Sequence, residues 1–563
     1  MKFWITKILE KLEFINLNHL NYMLSKIKKK FKILPGHFWV LVVIICLGIF
    51  MRTYNFHAWL DFGSDQVNDA NRVGAVVEGR ASWPAYGPDM GNSGKGGRAN
   101  RFRLGPIYYD FEIISAKMFG NSPVSMALPD LLFSILSLPL FYYFLRKIFA
   151  VNLSLALTGL YAISFYALSF SHSAWNVNSI PFFSLLFLTA LYEFMLAKEE
   201  THWGWIIGLG VSLGVSVQLH AILLVLFPAT LFFAWLLFLR KDRRIWKKML
   251  VVILLMLILN LGQIAGERQN GFKNTKIFLD SVTGPSTKSE DNWLVRAFND
   301  LSCNFQSNAY MLSAVGNGEC NFLFGQITGE SSANKLFRSK IFQPISIVKI
   351  IICLVFSFFG YGSLIYYFRK ENQSKKRYFF GLIIVYVGLS FFVMLPILDS
   401  AIRYFVHLFF LPLILLGFLV EFLIEKVSQK YLVTVLTIVF LVIVASNLNS
   451  MYLQIKDDFV QSRIILGPVE EMVSYVIAGS NAQTEIYLYV DSSALDYLKS
   501  LRYIASQKGV ALLKTGDKDV VPPGKAKFYL SIWGGSPALT QINGMSYADY
   551  RLFDQVAIFH LTD

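Results

Sequence analysis

Three aspartates recur at a spacing of four residues: Asp61, Asp65 and Asp69. If the chain here is helical, residues four apart share a face, so Asp65 and Asp69 would stand side by side. A carboxylate in that position can act as general base on a hydroxyl group. The same spacing equally suits acids that cap a loop or a helix start. Gln66 follows Asp65 directly and adds an amide to the set. Past these acids comes a glycine-rich stretch carrying Lys95, Arg98, Arg101 and Arg103. Guanidinium groups bind phosphate or pyrophosphate oxygens in two-pronged fashion. A solvated basic loop would have the same composition. The glycines of GNSGKGG do not make a nucleotide-binding loop, because GKGG is not GK[ST] and no strand precedes it.

Further polar groups stand at the ends of apolar runs. SHSAWNVNS, at 171–179, offers His172, Trp175, Asn176 and Asn178 as the lining of a polar cavity. Helix capping and an interfacial tryptophan are the plainer reading. His220 in QLHA, Glu267 and Arg268 in AGERQNGF, and the pair Arg403 and Tyr404 occupy similar boundaries. An arginine at such a depth is costly unless it meets an anion, and lipid headgroups can supply one. No spacing suits a metal ion.

Nearly everything around these residues is apolar. The chain is 55% hydrophobic and 16% aromatic over 563 residues. A soluble domain does not need so much apolar side chain. Runs of about 20 apolar residues mark membrane-spanning helices. Eleven are expected, near 37–54, 122–144, 150–170, 179–197, 203–219, 220–239, 249–265, 345–368, 378–397, 403–424 and 431–449. The class is therefore mainly α, a polytopic helical membrane protein. The net charge of +15 is split into short clusters between spans, a topology signal and not a nucleic-acid surface.

With eleven spans, every strong basic cluster falls on one side, including Arg146-Lys147, the run at 240–248 and the run at 369–377. That side is the cytoplasm. Residues 1–34, basic and amphipathic, then lie on the inner membrane surface, and they lack the cleavage site of a signal peptide. Outside fall a loop at 55–120 with juxtamembrane helices, a second loop at 266–343, and the tail at 451–563. The tail is expected to be a small α/β unit: TEIYLYV, KFYLSIWG and QVAIFHL read as strands, and SALDYLKSLRYIASQKG as a helix ending in glycine. It is expected to serve as a lid or acceptor-binding cap. Cys303 and Cys320 lie in the second outer loop, where an exported compartment permits a disulfide; two free thiols are the alternative.

The order of these features resembles the membrane glycosyltransferases of the C-type fold, specifically the protein O-mannosyltransferase and aminoarabinose-transferase-like group. SDQVNDANRV takes the place of that family's acidic first outer loop, with Gln66 where glutamate is usual. RLGPIYYDFEIISAKMFG, WNVN, QLHA, ERQNGFKNT and RYF follow in the family's order, and the resemblance covers about 40–450. It implies an inverting sugar transfer outside the cell membrane, from a polyprenyl-phosphate donor to a lipid, glycan or protein acceptor. Asp65 would be the general base, with Asp61, Gln66 and Asp69 around the acceptor. Arg403, Tyr404 and the Lys95–Arg103 loop would meet the donor phosphate. Partners are the lipid-linked donor, the acceptor and membrane lipids. No cofactor is required, although some relatives use a divalent metal. A lipid-linked oligosaccharide ligase or polymerase would share the donor and differ by moving a whole chain. A lipid-sugar transporter would show internal repeats and mid-bilayer charges.

Overall fold

The computed structural model of the chain describes residues 36–90, 102–283, 293–315, 320, 344–395, 401–456, 463–515, 521–532, 541–542, 545–553 and 556–562. The basic segment 1–34, Lys95, Arg98 and Arg101 lie outside the described residues.

The first span, α1 (Gly36–Thr53), ends at Arg52, whose guanidinium is fully buried. It donates to the Ser134 hydroxyl at 2.9 Å and the Ala162 carbonyl at 2.9 Å. A short amphipathic helix, α2 (Ser64–Val77), carries Asp65 in its first turn. A two-residue ladder follows, β1 (Asp89–Met90) against β2 (Phe102–Arg103), and then α3 (Ile107–Phe119). Span α4 (Pro123–Leu145) opens with Ser122 accepting from the Ser125 N–H and Pro123 in the first turn, where its missing N–H costs nothing.

Next come α5 (Val151–Ala162), α6 (Phe165–Ser171), α7 (Ile180–Ala197), α8 (Trp203–Leu219) and α9 (Ala221–Ala234). They lead to α10 (Trp246–Leu259), α11 (Leu261–Gln269), α12 (Lys273–Thr283) and α13 (Trp293–Ser313). The late spans are α14 (Pro344–Lys370), α15 (Ser374–Met394), α16 (Leu411–Lys426) and α17 (Gln429–Lys456).

All eleven expected spans correspond to helices, but not all to straight ones. Among the described residues, seven helices are long and apolar enough to cross a membrane. Three bent pairs would each make one further span if the pair crosses as a unit: α5 with α6 at 50°, the 243–259 segment with α11 at 56°, and the turn Ile402–Leu408 with α16 at 61°. The eleventh, α8, is a 17-residue apolar helix. Each bend has a local cause. Ser164 donates to the Met311 carbonyl at the first break, Asn260 donates to the Gly214 and Met256 carbonyls at the second, and Pro412 opens α16 at the third.

The basic clusters meet at one end of the bundle. Lys147 pairs with Glu193, Arg244 with Glu199 at 3.0 Å, and Lys370 with Glu425 at 2.5 Å. The Tyr192 hydroxyl donates to the Lys375 carbonyl at 3.3 Å. The described residues of the stretch expected as the second outer loop include the helices α12 and α13. α13 buries Asp300, Asn304 and Asn308 against the spans, and Cys303 is bonded to Cys320. A bridge of that span stabilises by about 3 kcal/mol in the chain-entropy model.

Past the last span, α18 (Leu466–Gly479) leads into β3 (Glu485–Val490), α19 (Leu495–Gln507), β4 (Ala511–Thr515), β5 (Lys527–Ile532), β6 (Gln541–Ile542), β7 (Met545–Phe553) and β8 (Val556–Leu561). The expected strands and helix are all present. The sheet order is β4-β3-β5-β8-β7-β6, with β3 parallel to β4 and β5 and the remaining pairs antiparallel. Gly509 turns the chain after α19 at φ +76°, a conformation that costs other residues their Cβ clearance.

Candidate functional site

The acids of the first outer loop have three different environments, although their spacing is regular. Asp61 is held by backbone pairing on both sides. Its N–H donates to the His172 carbonyl at 2.8 Å, and it bridges to Ser173 on one flank and Ile465 on the other. Burial pushes its carboxyl above the ordinary range, against the nearby Arg463 guanidinium and the Gly63 N–H. This geometry suits an orienting group.

Asp65 lies in the first turn of α2 and is exposed. No hydrogen bond or ion pair engages its carboxyl among the described residues. Gln66 beside it donates to the Ser173 hydroxyl at 3.4 Å, a long contact. One turn further on, α2 packs on α3, and there Asp69 is only 8% exposed. The Tyr109 hydroxyl donates to Asp69 at 2.6 Å. Burial raises the Asp69 carboxyl to about 7; the Tyr109 bond opposes this and Asp65 adds to it. The two acids are therefore electrostatic neighbours, as their spacing predicts, but only Asp65 is open to a substrate.

Two carboxyls of this cluster were missed in the sequence reading. Glu112, on α3, is 1% exposed, and its Oε2 has no hydrogen-bond partner among the described residues. Burial raises its carboxyl well above the ordinary range, and Asp69 and Asp130 add to the effect. Asp130, within span α4, accepts from the Tyr108 hydroxyl at 3.1 Å, the Ser179 hydroxyl at 2.5 Å and the Trp175 N–H at 3.1 Å. It thereby locks α3, α4 and the 175–179 turn together. An ionisable residue inside an apolar span is itself a signal, and LPDLL carried it.

The residues expected to line a cavity act mainly as fasteners. Asn176 donates to the Leu219 carbonyl at 2.6 Å, and Asn178 to the Ser173 carbonyl at 2.6 Å. Trp175 contributes its N–H to Asp130. His172 contacts the Ser171 hydroxyl and the Leu168 carbonyl, both at 3.1 Å, and packs on Phe56. His220 caps α9 by accepting from the Ile222 N–H at 3.2 Å. Glu267 accepts from the Thr275 N–H and hydroxyl at 3.1 and 2.9 Å, anchoring the first turn of α12. Asn178 also lines a narrow cavity shared with Ser134, Tyr161, Tyr166 and Phe409.

The expected phosphate-binding cations divide. Arg103 pairs with Asp89, its Nε 3.0 Å from the carboxylate, while its side chain stays 42% exposed. Its backbone is pinned by Asn274 in both directions. Arg403 is exposed and lies over the Tyr404 ring at 5.5 Å, while Tyr404 faces His220 with ring centroids 6.0 Å apart. No carboxylate pairs with Arg403 among the described residues. Among the described residues, no group of three or more His, Cys, Asp or Glu is placed to hold a metal ion.

The tail reaches this site directly. The Phe62 N–H donates to Ile464, and the Leu466 and Gly467 N–H groups donate to Leu60 and Ala58. Ser500 on α19 donates to the Phe62 carbonyl at 2.7 Å, and Tyr503 packs edge-on against the Phe62 ring. A Cβ on Gly467 would sit 3.0 Å from the Ala58 carbonyl, so the close approach needs glycine. The tail is thus fastened to the segment that presents Asp65.

Residues 106–262 match a family model described as dolichyl-phosphate-mannose-protein mannosyltransferase. Among solved structures, the chain is similar to ArnT from Cupriavidus metallidurans bound to undecaprenyl phosphate. The TM-score is 0.50 at 14% identity, over 93% of this chain and 98% of that one. The apo form of the same protein gives a TM-score of 0.39 at 13% identity, over 92% and 97%. An oligosaccharyltransferase from Archaeoglobus fulgidus gives 0.43 at 12% identity, over 85% of this chain and 64% of that one. No curated protein sequence matches the chain.

Proposed function

We propose that this chain, a membrane glycosyltransferase of the C-type fold, moves a sugar from a polyprenyl-phosphate donor to an acceptor outside the cell membrane, with inversion and with Asp65 as general base. The observation that carries the base assignment is the contrast within α2. Asp65 is open and uncommitted, whereas Asp69 is buried under Tyr109. A base must come within about 3 Å of the acceptor hydroxyl, directly or through one water, and a buried carboxyl already bonded to tyrosine cannot do so.

The acceptor oxygen attacks the anomeric carbon, its proton passes to Asp65, and the sugar–phosphate bond breaks with its electron pair going to the phosphate. The leaving group needs positive charge and not a proton. Arg403, exposed and without a carboxylate partner among the described residues, suits that need, with Tyr404 steadying it from below. The N-terminus is on the cytoplasmic side in this reading, and the tail is outside. Transfer of labelled sugar from a synthetic polyprenyl-phosphate donor, by purified enzyme in detergent, is the test. If no polyprenyl-phosphate sugar supports transfer, the reading fails.

A further inference from the structure

We infer that Arg463, at the junction between the last span and the tail, is a second cation that receives the phosphate as the sugar leaves. This rests on the polyprenyl-phosphate reading and adds to it a residue from a part of the chain that the family match does not reach.

The backbone places Arg463. Ile465 bridges to Asp61, and Ile464 accepts from the Phe62 N–H at 2.6 Å, so the segment that begins at Arg463 runs alongside the acidic loop. On the other flank, Asp61 is paired to the His172–Ser173 turn. Arg463 thus comes to the outer end of the bundle, two residues from Ile465, which bridges to Asp61; Asp65 lies four residues beyond Asp61. Its side chain is partly buried and makes no ion pair or hydrogen bond among the described residues.

The surroundings favour an anion. The Arg463 guanidinium is within electrostatic reach of Asp61, His172 and Tyr310. Asp61 is the one acid among these, it is not within ion-pair distance, and burial works against its ionisation. His172 also feels the buried Arg52. Tyr310 packs edge-on against Tyr166 with ring centroids 6.0 Å apart. The Tyr166 hydroxyl is buried without a hydrogen-bond partner among the described residues and borders the narrow cavity shared with Asn178. A partly desolvated guanidinium is expensive to leave unpaired, and a phosphate oxygen would satisfy it.

The chemistry calls for a second cation. The donor is a phosphodiester with one negative charge. When the carbon–oxygen bond to the sugar breaks, the electron pair stays on the phosphate, and the polyprenyl phosphate monoester carries one charge more. The proton from the acceptor goes to Asp65, so it does not offset that charge. Arg403 alone balances the donor; Arg463 would balance what develops in the transition state, where electrostatic stabilisation does most for rate.

The test uses the full chain in detergent with two probes, undecaprenyl phosphate and undecaprenol, whose binding is read by microscale thermophoresis. The parent should prefer the phosphate. Arg463→Gln should lose 10-fold or more in affinity for undecaprenyl phosphate, keep its affinity for undecaprenol and keep its melting temperature. Arg463→Lys should retain part of the preference, since it keeps charge and loses the two-pronged geometry. An Arg463→Gln protein that binds undecaprenyl phosphate like the parent overturns the assignment. Equal losses for both probes, or a lower melting temperature in both variants, would make Arg463 a packing residue and overturn it too. A parent without preference for the phosphate would instead sink the lipid-phosphate reading itself.

Discussion

The Tyr109 hydroxyl donates to the Asp69 carboxylate at 2.6 Å, while Asp65, one helical turn earlier on α2, faces outward with no such partner. This one bond separates two acids that the spacing makes equivalent. It ties Asp69 to α3 and leaves the Asp65 carboxyl open.

Asp65→Asn is nearly isosteric and should fold and bind lipid donor like the parent. Its turnover should fall by about 10²- to 10⁴-fold, the usual worth of a general base. Asp69→Asn should cost less in turnover. Initial rates of sugar transfer across Asp61→Asn, Asp65→Asn and Asp69→Asn decide the point; an active Asp65→Asn beside a dead Asp69→Asn or Asp61→Asn would move the base elsewhere.

Asp69 also makes a statement about pH. Its carboxyl is raised in the fold to about 7, above the value of about 3.9 in an unfolded chain. The folded state therefore binds the extra proton, so the stability that Asp69 contributes is greatest below pH 4, declines as pH rises towards 7, and levels off above that. Asp69→Asn should flatten this slope in melting temperature between pH 4 and 7. Tyr109→Phe removes the bond that opposes the shift and should extend the decline to higher pH. Parallel melting curves for all three proteins would contradict the burial of Asp69.

Arg403→Ala should raise the apparent KM for the lipid donor by about 10-fold or more, with Arg403→Lys intermediate, because lysine keeps the charge and loses the planar fork. The melting temperature should hardly move, since Arg403 is exposed. Donor titrations at saturating acceptor give the answer, and an unchanged KM in Arg403→Ala would remove it from the phosphate site.

Asp130→Leu should be structural in effect. It strips the acceptor shared by Tyr108, Ser179 and the Trp175 N–H. Each buried donor left unpaired costs about 1–3 kcal/mol. The variant should give aggregated or low-yield protein on size-exclusion chromatography, whereas Asp65→Asn elutes like the parent.

Topology is open to labelling. With Cys46 and Cys353 replaced, a cysteine at Ser493 should react with a membrane-impermeant maleimide in whole cells, and one at Ser374 should not. The observation behind this is the gathering of Lys147, Arg244, Lys370 and Lys375 at one end of the bundle. Labelling at Ser374 would invert the model.

Much of the architecture was legible from composition alone, because a bilayer imposes one rule on every span: about 20 apolar residues with their backbone bonds satisfied internally. The segment boundaries near 37–54, 122–144 and 378–397 recur as α1, α4 and α15. The bends were not legible, since they depend on where Ser164 and Asn260 find acceptors on other helices. Strands of the tail were visible in their alternation, and β3, β5 and β8 lie where it placed them.

The candidate site divides in the same way. Local sequence determined that acids, an amide and cations occur together on an amphipathic helix and loop between apolar spans, and the period of four correctly made Asp65 and Asp69 neighbours. Only the tertiary structure decided which of them is open, because exposure depends on what packs across, here α3 with Tyr109 and Glu112. It paired Arg103 with Asp89 on the neighbouring strand and Glu267 with Thr275 on the next helix. And it brought Arg463 beside Asp61 across about 400 residues of chain by backbone pairing, a kind of contact that leaves no trace in side-chain type or spacing.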